Sequence, residues 1–300
     1  MPDGPAAPYL TVAPSVRCLP LVLSSPHSGQ CYPAEIVAQS RLSLDRLRVL
    51  DDGPVDALLA QACAAGATMI AATYPRAMVD LNRDRLEQDP ETLEDPGAID
   101  GLRATLKARA GLGVVPTRLL GEPIYARKLS AAEMFRRIER AYRPYHDQLA
   151  ALTAEQRRRF GVSLVLDCHS MPTLPPMTRG EAPIDVALGD RFGRSCHPRL
   201  VEVAERTLGA AGLRVARNRP YAGGYITERH GRPGRDRHAL QLELRRSLFM
   251  DERSHTPHDG LARVQDLLAG LVEALATALL ALPLPAARWM DRPDRTLRSA

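Results

Sequence analysis

Along the 300-residue chain, short continuous apolar runs take turns with longer stretches in which apolar residues recur every three or four positions. The continuous runs fall at residues 19–24, 68–72, 163–166, 185–188, 213–216 and 238–244. Their length and flanking residues predict strands covered on both faces. The periodic stretches predict helices. Leu44, Leu47, Leu50, Val55, Leu58 and Leu59 are spaced for one helical face, but Gly53-Pro54 interrupts it. The expectation is a short helix ending near Leu50 and a second starting at Pro54, a favoured first helical position. Ser130 with Glu133 forms a capping box, so a long helix should run from there to about Leu152, with Pro144 placed to kink it. Residues 198–211 form a helix that stops at Gly212, and residues 256–282 hold the last one. Strands alternating with helices predict an α/β fold, a mostly parallel sheet under helices on both faces. Residues 84–100 are acidic and carry Pro90 and Pro96, which suggests an exposed loop. No internal repeat or linker is visible. The expectation is therefore a single domain over 1–300 with its core at about 17–283, a loose Pro- and Ala-rich arm over 1–16, and a polar tail from Pro283.

Composition narrows this picture. The chain is 45% apolar and 25% charged, ordinary globular usage that allows a substantial core. Its net charge of +5 is not gathered into a run and has no aromatic context. A nucleic-acid footprint is therefore not expected, and a small acidic substrate fits the balance. No basic segment followed by an apolar core marks a signal peptide, and no apolar run is long enough for a membrane span; residues 267–282 come nearest but carry Glu273. Five cysteines at unmatched spacings, none in a CxxC, predict reduced thiols and a cytoplasmic protein. GxSxG, Walker A, GxGxxG and HExxH patterns are all missing, so serine hydrolases, P-loop NTPases, Rossmann oxidoreductases and HExxH zinc enzymes lack support.

Candidate chemistry sits at the ends of the predicted strands. His27 follows the first, in Pro26-His27-Ser28-Gly29, and His169 follows another, in Asp167-Cys168-His169-Ser170. Histidines at the carboxyl ends of strands in an open sheet are a common way to hold a metal. A solvated loop histidine and a hydrogen-bonded core histidine are the plainer alternatives. Asp167, two residues before His169, is on the same side of the strand and can orient its imidazole. Asp51-Asp52 lies in the break between two helices; Asp52 suits a helix N-cap and equally suits a third metal ligand. Glu243 shares a strand face with Gln241, while Leu240, Leu242 and Leu244 take the other. A carboxylate there needs a partner such as Arg245, or a role as a general base. Arg76, Asn82 and Arg83 follow the second strand, and arginine forks bind carboxylates in bidentate fashion. Residues 124–128, with Arg127, and 223–229, with Arg229, are lesser candidates.

The ordered set of motifs resembles the N-formylglutamate amidohydrolase family. The matching pieces begin with Ser25-Pro26-His27-Ser28-Gly29, Asp52 with Val55-Asp56, and Pro75-Arg76 with Val79-Asp80-Leu81-Asn82-Arg83. They continue through Ile124-Tyr125, Pro144-Tyr145-His146, Asp167-Cys168-His169-Ser170-Met171, Asp185 with Leu188-Gly189-Asp190, Gly223-Gly224-Tyr225 and Gln241-Leu242-Glu243, spanning roughly residues 19–250. The resemblance implies a three-layer α/β/α sandwich of the phosphorylase/hydrolase-like, zinc carboxypeptidase-like type, with a mixed, mostly parallel sheet. It implies one zinc on His27, His169 and a carboxylate, assigned to Asp52 with Asp51 as rival, because the position three after His27 is Gln30. It further implies Glu243 as general base and a carboxylate-binding group of Arg76, Asn82 and Arg83. The expected reaction is hydrolysis of N-formyl-L-glutamate to formate and glutamate, a step of histidine breakdown. A second carboxylate on that substrate calls for a second cation, Arg127 or Arg229. A relative acting on another N-acyl amino acid or amide, and a silent binding protein on the same scaffold, remain alternatives.

Overall fold

The computed structural model describes residues 7–15, 17–176 and 182–283. Among the described residues the strands, in chain order, are β1 Tyr9–Val12, β2 Leu21–Ser25, β3 Thr68–Ala72, β4 Arg118–Leu119, β5 Glu122–Pro123, β6 Ser163–Met171, β7 Val186–Gly189, β8 Val215–Arg217 and β9 Arg237–Arg245. Seven of them form one sheet in the order β1-β3-β2-β6-β9-β7-β8, and β4 and β5 pair as a separate small hairpin. The four central strands β3, β2, β6 and β9 are parallel. β1 runs antiparallel to β3, β7 runs antiparallel to β9, and β8 runs parallel to β7. The result is a mixed, mostly parallel α/β sheet.

Strand alternation divides the core in two. Leu21, Leu23, Leu164, Leu166, Leu240 and Leu242 point to one face and meet Leu58 and Leu59, Leu200 and Val201 of the helix Pro198–Ala210, and Leu268, Leu271 and Leu275 of the helix Gly260–Leu280. Their neighbours Val22, Ile70, Val165 and Ala239 point to the other face, against Tyr145 and Leu149 of the helix Arg143–Phe160. The central strands are buried along nearly their whole length because both faces are covered, which is why they read as unbroken apolar runs.

Several elements differ from expectation. The arm expected to be loose carries β1, whose backbone pairs with β3 from Tyr9 opposite Ala72 to Val12 opposite Met69. A four-residue edge strand leaves little periodic signal, and its pairing partner is distant in sequence. The tail from Pro283 onward lies outside the described residues apart from Pro283 itself. Residues 84–100 are not an exposed loop throughout: Leu93 and Ile99 are buried, and two short 3-10 turns, Pro90–Thr92 and Pro96–Ala98, fold them onto the protein. The long helix begins at Ala131, capped by Ser130 as predicted, and widens into a π turn over Ile138–Tyr142 before Pro144. Proline has no N–H to give the preceding turn, and a π turn absorbs that loss without ending the helix. It then continues past Leu152 to Phe160 and stops at Gly161, whose φ of 82° is the left-handed end that glycine takes readily.

Candidate active site

The parallel strands deliver the candidate residues to one end and one face of the sheet. His27 lies just past the end of β2, and Asp52 lies in the break after the 3-10 turn Arg48–Leu50. β6 runs on to Met171, so His169 stands within the strand rather than after it, directly beside Glu243 of β9. Cys168 turns to the leucine face, which leaves Asp167, His169, Gln241 and Glu243 together on the opposite face. Gly29 is required at the first turn because a Cβ there would strike the backbone carbonyl of Tyr74.

His27, Asp52 and His169 converge. His169 Nδ1 is 2.9 Å from Asp52 Oδ2 and 3.2 Å from His27 Nδ1, and His27 Nδ1 is 3.2 Å from the same Asp52 oxygen. The far side of each ring is held by another buried carboxylate. His27 Nε2 meets Asp80 Oδ1 at 2.8 Å, and His169 Nε2 meets Asp167 Oδ2 at 3.0 Å. With the Nε2 proton of each ring on its carboxylate, the tautomer those carboxylates favour, both Nδ1 lone pairs and the Asp52 oxygen point at one another. Three acceptors cannot share one point without a cation. Donors bound to zinc at tetrahedral angles lie about 3.3 Å apart, close to this triangle. The donor set therefore fits a zinc ion, and the carboxylate–histidine pairs are the supports such a site needs. Without a metal, a proton takes that place. Burial pulls the His169 pKa down, but the charge of Asp167 and the hydrogen bonds to Asp167 and Asp52 outweigh it and hold it well above the ordinary value. Burial likewise raises Asp52, and His27 and His169 outweigh it to hold the carboxyl well below the usual range.

Asp52 does not cap a helix. The N–H of Asp56 is taken by Ser28 Oγ at 3.2 Å. Asp51 turns away from the histidines and accepts from Tyr32 Oη at 2.5 Å and Arg76 N at 3.2 Å. Glu243 does not pair with Arg245, whose guanidinium reaches Asp185 at 2.7 Å. Its Oε1 accepts from Gln241 Nε2 at 2.6 Å, and Gln241 Oε1 in turn accepts from Gly224 N at 2.6 Å. Burial, then the Asp52 charge, raise the Glu243 pKa to about 7 against the pull of His169 and Gln241.

The three residues and Glu243 open into a cavity of about 1270 Å3, also lined by Arg76, Asn82 and Arg83. Arg76 Nε donates to Asp80 Oδ2 at 2.8 Å. Burial opposes ionisation of Asp80, but Arg76, His27 and Arg83 hold its carboxyl well below the usual range. Asn82 is committed mainly to the protein: its Oδ1 accepts from Ile226 N at 2.8 Å, and its Nδ2 lies 3.3 Å from Asp167 Oδ2 and 3.0 Å from His169 Nε2. Gly224 packs on that amide so closely that a Cβ would collide with it.

Arg127 and Arg229 are not brought to this cavity. Arg127 is exposed between buried Tyr125 and Leu129. The helix Tyr225–His230 buries Ile226, Thr227 and His230, which turns Arg229 to solvent. Sequence reasoning missed Asp80 as the partner of His27, although Asp80 lies inside a recognised motif, because the two are 53 positions apart. It also missed Arg246, which donates through NH2 to Asp51 O at 2.7 Å and through Nε to Ser170 Oγ at 3.0 Å. Arg246 thereby fixes the backbone beside Asp52. Its only signal was an arginine following the Glu243 strand.

An α/β scaffold that gathers two histidines, an aspartate and a neighbouring glutamate at the ends of parallel strands defines a hydrolase-type site whose His27, Asp52 and His169 could hold a metal ion. The N-formylglutamate amidohydrolase family model matches residues 19–250, and the chain belongs to that family. It is 33% identical to the N-formylglutamate deformylase of Pseudomonas putida over 264 residues, 86% of this chain and 92% of that protein. It is 31% identical to the N-formylglutamate deformylase of Pseudomonas aeruginosa over 272 residues, 88% and 93% of the two chains. The crystal structure of N-formylglutamate amidohydrolase from Ralstonia eutropha JMP134 superposes with a TM-score of 0.85 at 39% identity, covering 91% of this chain and 98% of that one.

Asp80→Asn is expected to weaken zinc binding about 10- to 100-fold, since it removes the acceptor that orients His27. Competition against a chelator of known affinity measures this, and an unchanged affinity would rule the role out.

Proposed function

We propose that this chain is a zinc-dependent amidohydrolase that cleaves N-formyl-L-glutamate to formate and L-glutamate within a single catalytic domain. The observation that carries the proposal is the convergence of His27, Asp52 and His169 on one point, with Glu243 beside His169 on the adjacent strand. The names of the relatives support the substrate, and helices on both sheet faces support the phosphorylase/hydrolase-like sandwich. The same reading places the enzyme in histidine breakdown in the cytoplasm, in keeping with five cysteines that are all free. No helix among the described residues is long and apolar enough to cross a membrane.

His27, Asp52 and His169 would hold the zinc, which when bound supplies Lewis-acid polarisation of the amide carbonyl and of water. Glu243 takes the proton of the attacking water and gives it to the departing nitrogen. A buried carboxyl with a pKa near neutrality can do both. Gln241 holds the Glu243 carboxylate in place through Oε1. Arg76 and Arg83 line the cavity with their Nε atoms turned toward Asp80, and their guanidinium edges bind one substrate carboxylate. Asn82 keeps His169 and Asp167 in register.

A second reading, a relative acting on a larger N-acyl amino acid, is favoured by the cavity, whose volume of about 1270 Å3 exceeds the roughly 300–1,000 Å3 of common ligand pockets. Formate release from N-formyl-L-glutamate by zinc-loaded and metal-stripped protein tests the proposal. Turnover only with zinc is expected. No turnover with stoichiometric zinc would reject this substrate and direct the search to other N-acyl amino acids.

A further inference from the structure

N-formyl-L-glutamate carries two carboxylates, and the Arg76–Arg83 pair that lines the cavity accounts for one of them. Arg76 and Arg83 share Asp80, and Arg246 is fastened to Asp51 O and Ser170 Oγ. Arg127 and Arg229, the expected second anchors, lie away from the cavity. Of the further cations on the cavity wall, Arg48 pairs with Asp45 and Arg118 donates to Gly121 O, while the side chains of Arg253 and Lys107 are unpaired among the described residues; Lys107 is the one placed beside Arg83. Lys107 lines the cavity with an exposed side chain that has no hydrogen bond or ion pair to the described residues, while its backbone O accepts from Leu112 N at 2.9 Å. It is one of only two lysines in a chain whose other cationic side chains are arginines, the second being Lys128.

The location of Lys107 follows from its neighbours. It lies in the short helix Leu106–Arg109, whose capping residue Thr105 donates through Oγ1 to Glu87 Oε1 at 2.6 Å. The same Glu87 oxygen lies 3.5 Å from Arg83 NH1. Glu87 therefore ties the Lys107 helix to the Arg83 guanidinium. On this stretch of wall three cations, Arg76, Arg83 and Lys107, face two carboxylates, Asp80 and Glu87, and Asp80 is also the acceptor for His27. Desolvation and the Arg83 charge pull the Lys107 pKa below that of a free lysine. A bound anion would relieve that repulsion. Arg83 Nε is itself a buried donor without a hydrogen-bond partner.

We propose that Lys107 anchors the side-chain carboxylate of the substrate and is the specificity-determining residue of this cavity, while Arg76 and Arg83 hold the α-carboxylate. The inference rests on the reading of the site as an N-formyl amino-acid hydrolase. It assigns the enzyme to substrates with a terminal side-chain carboxylate, as opposed to their neutral amides. A lysine ammonium suits this role as a compact charge that can approach a carboxylate from any direction, where an arginine fork would fix its angle.

The test compares N-formyl-L-glutamate with N-formyl-L-glutamine, which differ only in the side-chain charge, on zinc-loaded wild type, Lys107→Met and Lys107→Arg. The ratio of kcat/KM for glutamate over glutamine should fall at least about tenfold in Lys107→Met, through KM, and recover in part in Lys107→Arg. A ratio unchanged from wild type would overturn the proposal, as would an equal loss on both substrates with zinc content and melting temperature preserved. If wild type hydrolyses neither formamide, the hydrolase reading fails, and calorimetric binding of L-glutamate against L-glutamine then decides the subsite alone. A preference for glutamate that Lys107→Met erases supports it, and no preference, or one that survives the substitution, overturns it.

Discussion

Glu243→Gln is expected to lower kcat by about 10²- to 10⁴-fold, the usual contribution of a positioned general base, while zinc stays bound. The amide keeps the size of the carboxyl and can still lie beside Gln241, so packing against β6 and β7 is preserved. What it lacks is a site for the proton of water. Since Glu243 is not among the three converging residues, metal content separates loss of the proposed base from loss of the proposed metal site. An activity drop accompanied by zinc loss would contradict this division of roles. The pH profile follows from the same group. Burial raises the carboxyl to about 7. A base must be ionised, so kcat/KM should fall as pH drops below that value, and a bound dication moves the limb lower. Gln241 donates to the ionised form, so Gln241→Leu should move the limb upward. A limb that does not move would remove Gln241 from the ionisation of Glu243.

The second large effect separates two adjacent aspartates. Asp52→Asn should abolish stoichiometric zinc binding and turnover, whereas Asp51→Asn should retain both in large part. Asp52 Oδ2 is the atom within 3.2 Å of both ring nitrogens, and an amide there offers a weaker, uncharged donor atom. Asp51 is oriented elsewhere, between Tyr32 and the Arg76 backbone, and supports the turn without touching either histidine. Zinc analysis with circular dichroism on the two variants decides it. Zinc retained by Asp52→Asn and lost from Asp51→Asn would reverse the assignment. Chelating the wild-type protein should mimic Asp52→Asn in activity.

Much of the fold is legible in local sequence. β3 spans the predicted run, and the helix Pro198–Ala210 starts at its proline and ends beside its glycine, because a strand covered on both faces must be apolar at each position and helix ends need particular residues. His27, His169 and Glu243 stand out for the same reason: each is a polar group placed where an apolar strand ends or should continue. The edge strand Tyr9–Val12 and the burial of Leu93 and Ile99 left no such mark, since they depend on neighbours far along the chain.

The site divides in the same way. Sequence by itself marked the central strands, the candidate ligands, the candidate base and the family. It assigned the third ligand to Asp52 only through the resemblance, with Asp51 as rival, because adjacent residues in a turn point in directions set by backbone angles that Gly53, at φ 75°, and the surrounding packing impose. It could not pair His27 with Asp80, exclude Arg127 and Arg229, or place Lys107 on the cavity wall. Those are contacts between segments dozens of residues apart, and they are decided when β2, β6 and β9 align in parallel and bring their carboxyl ends to one place.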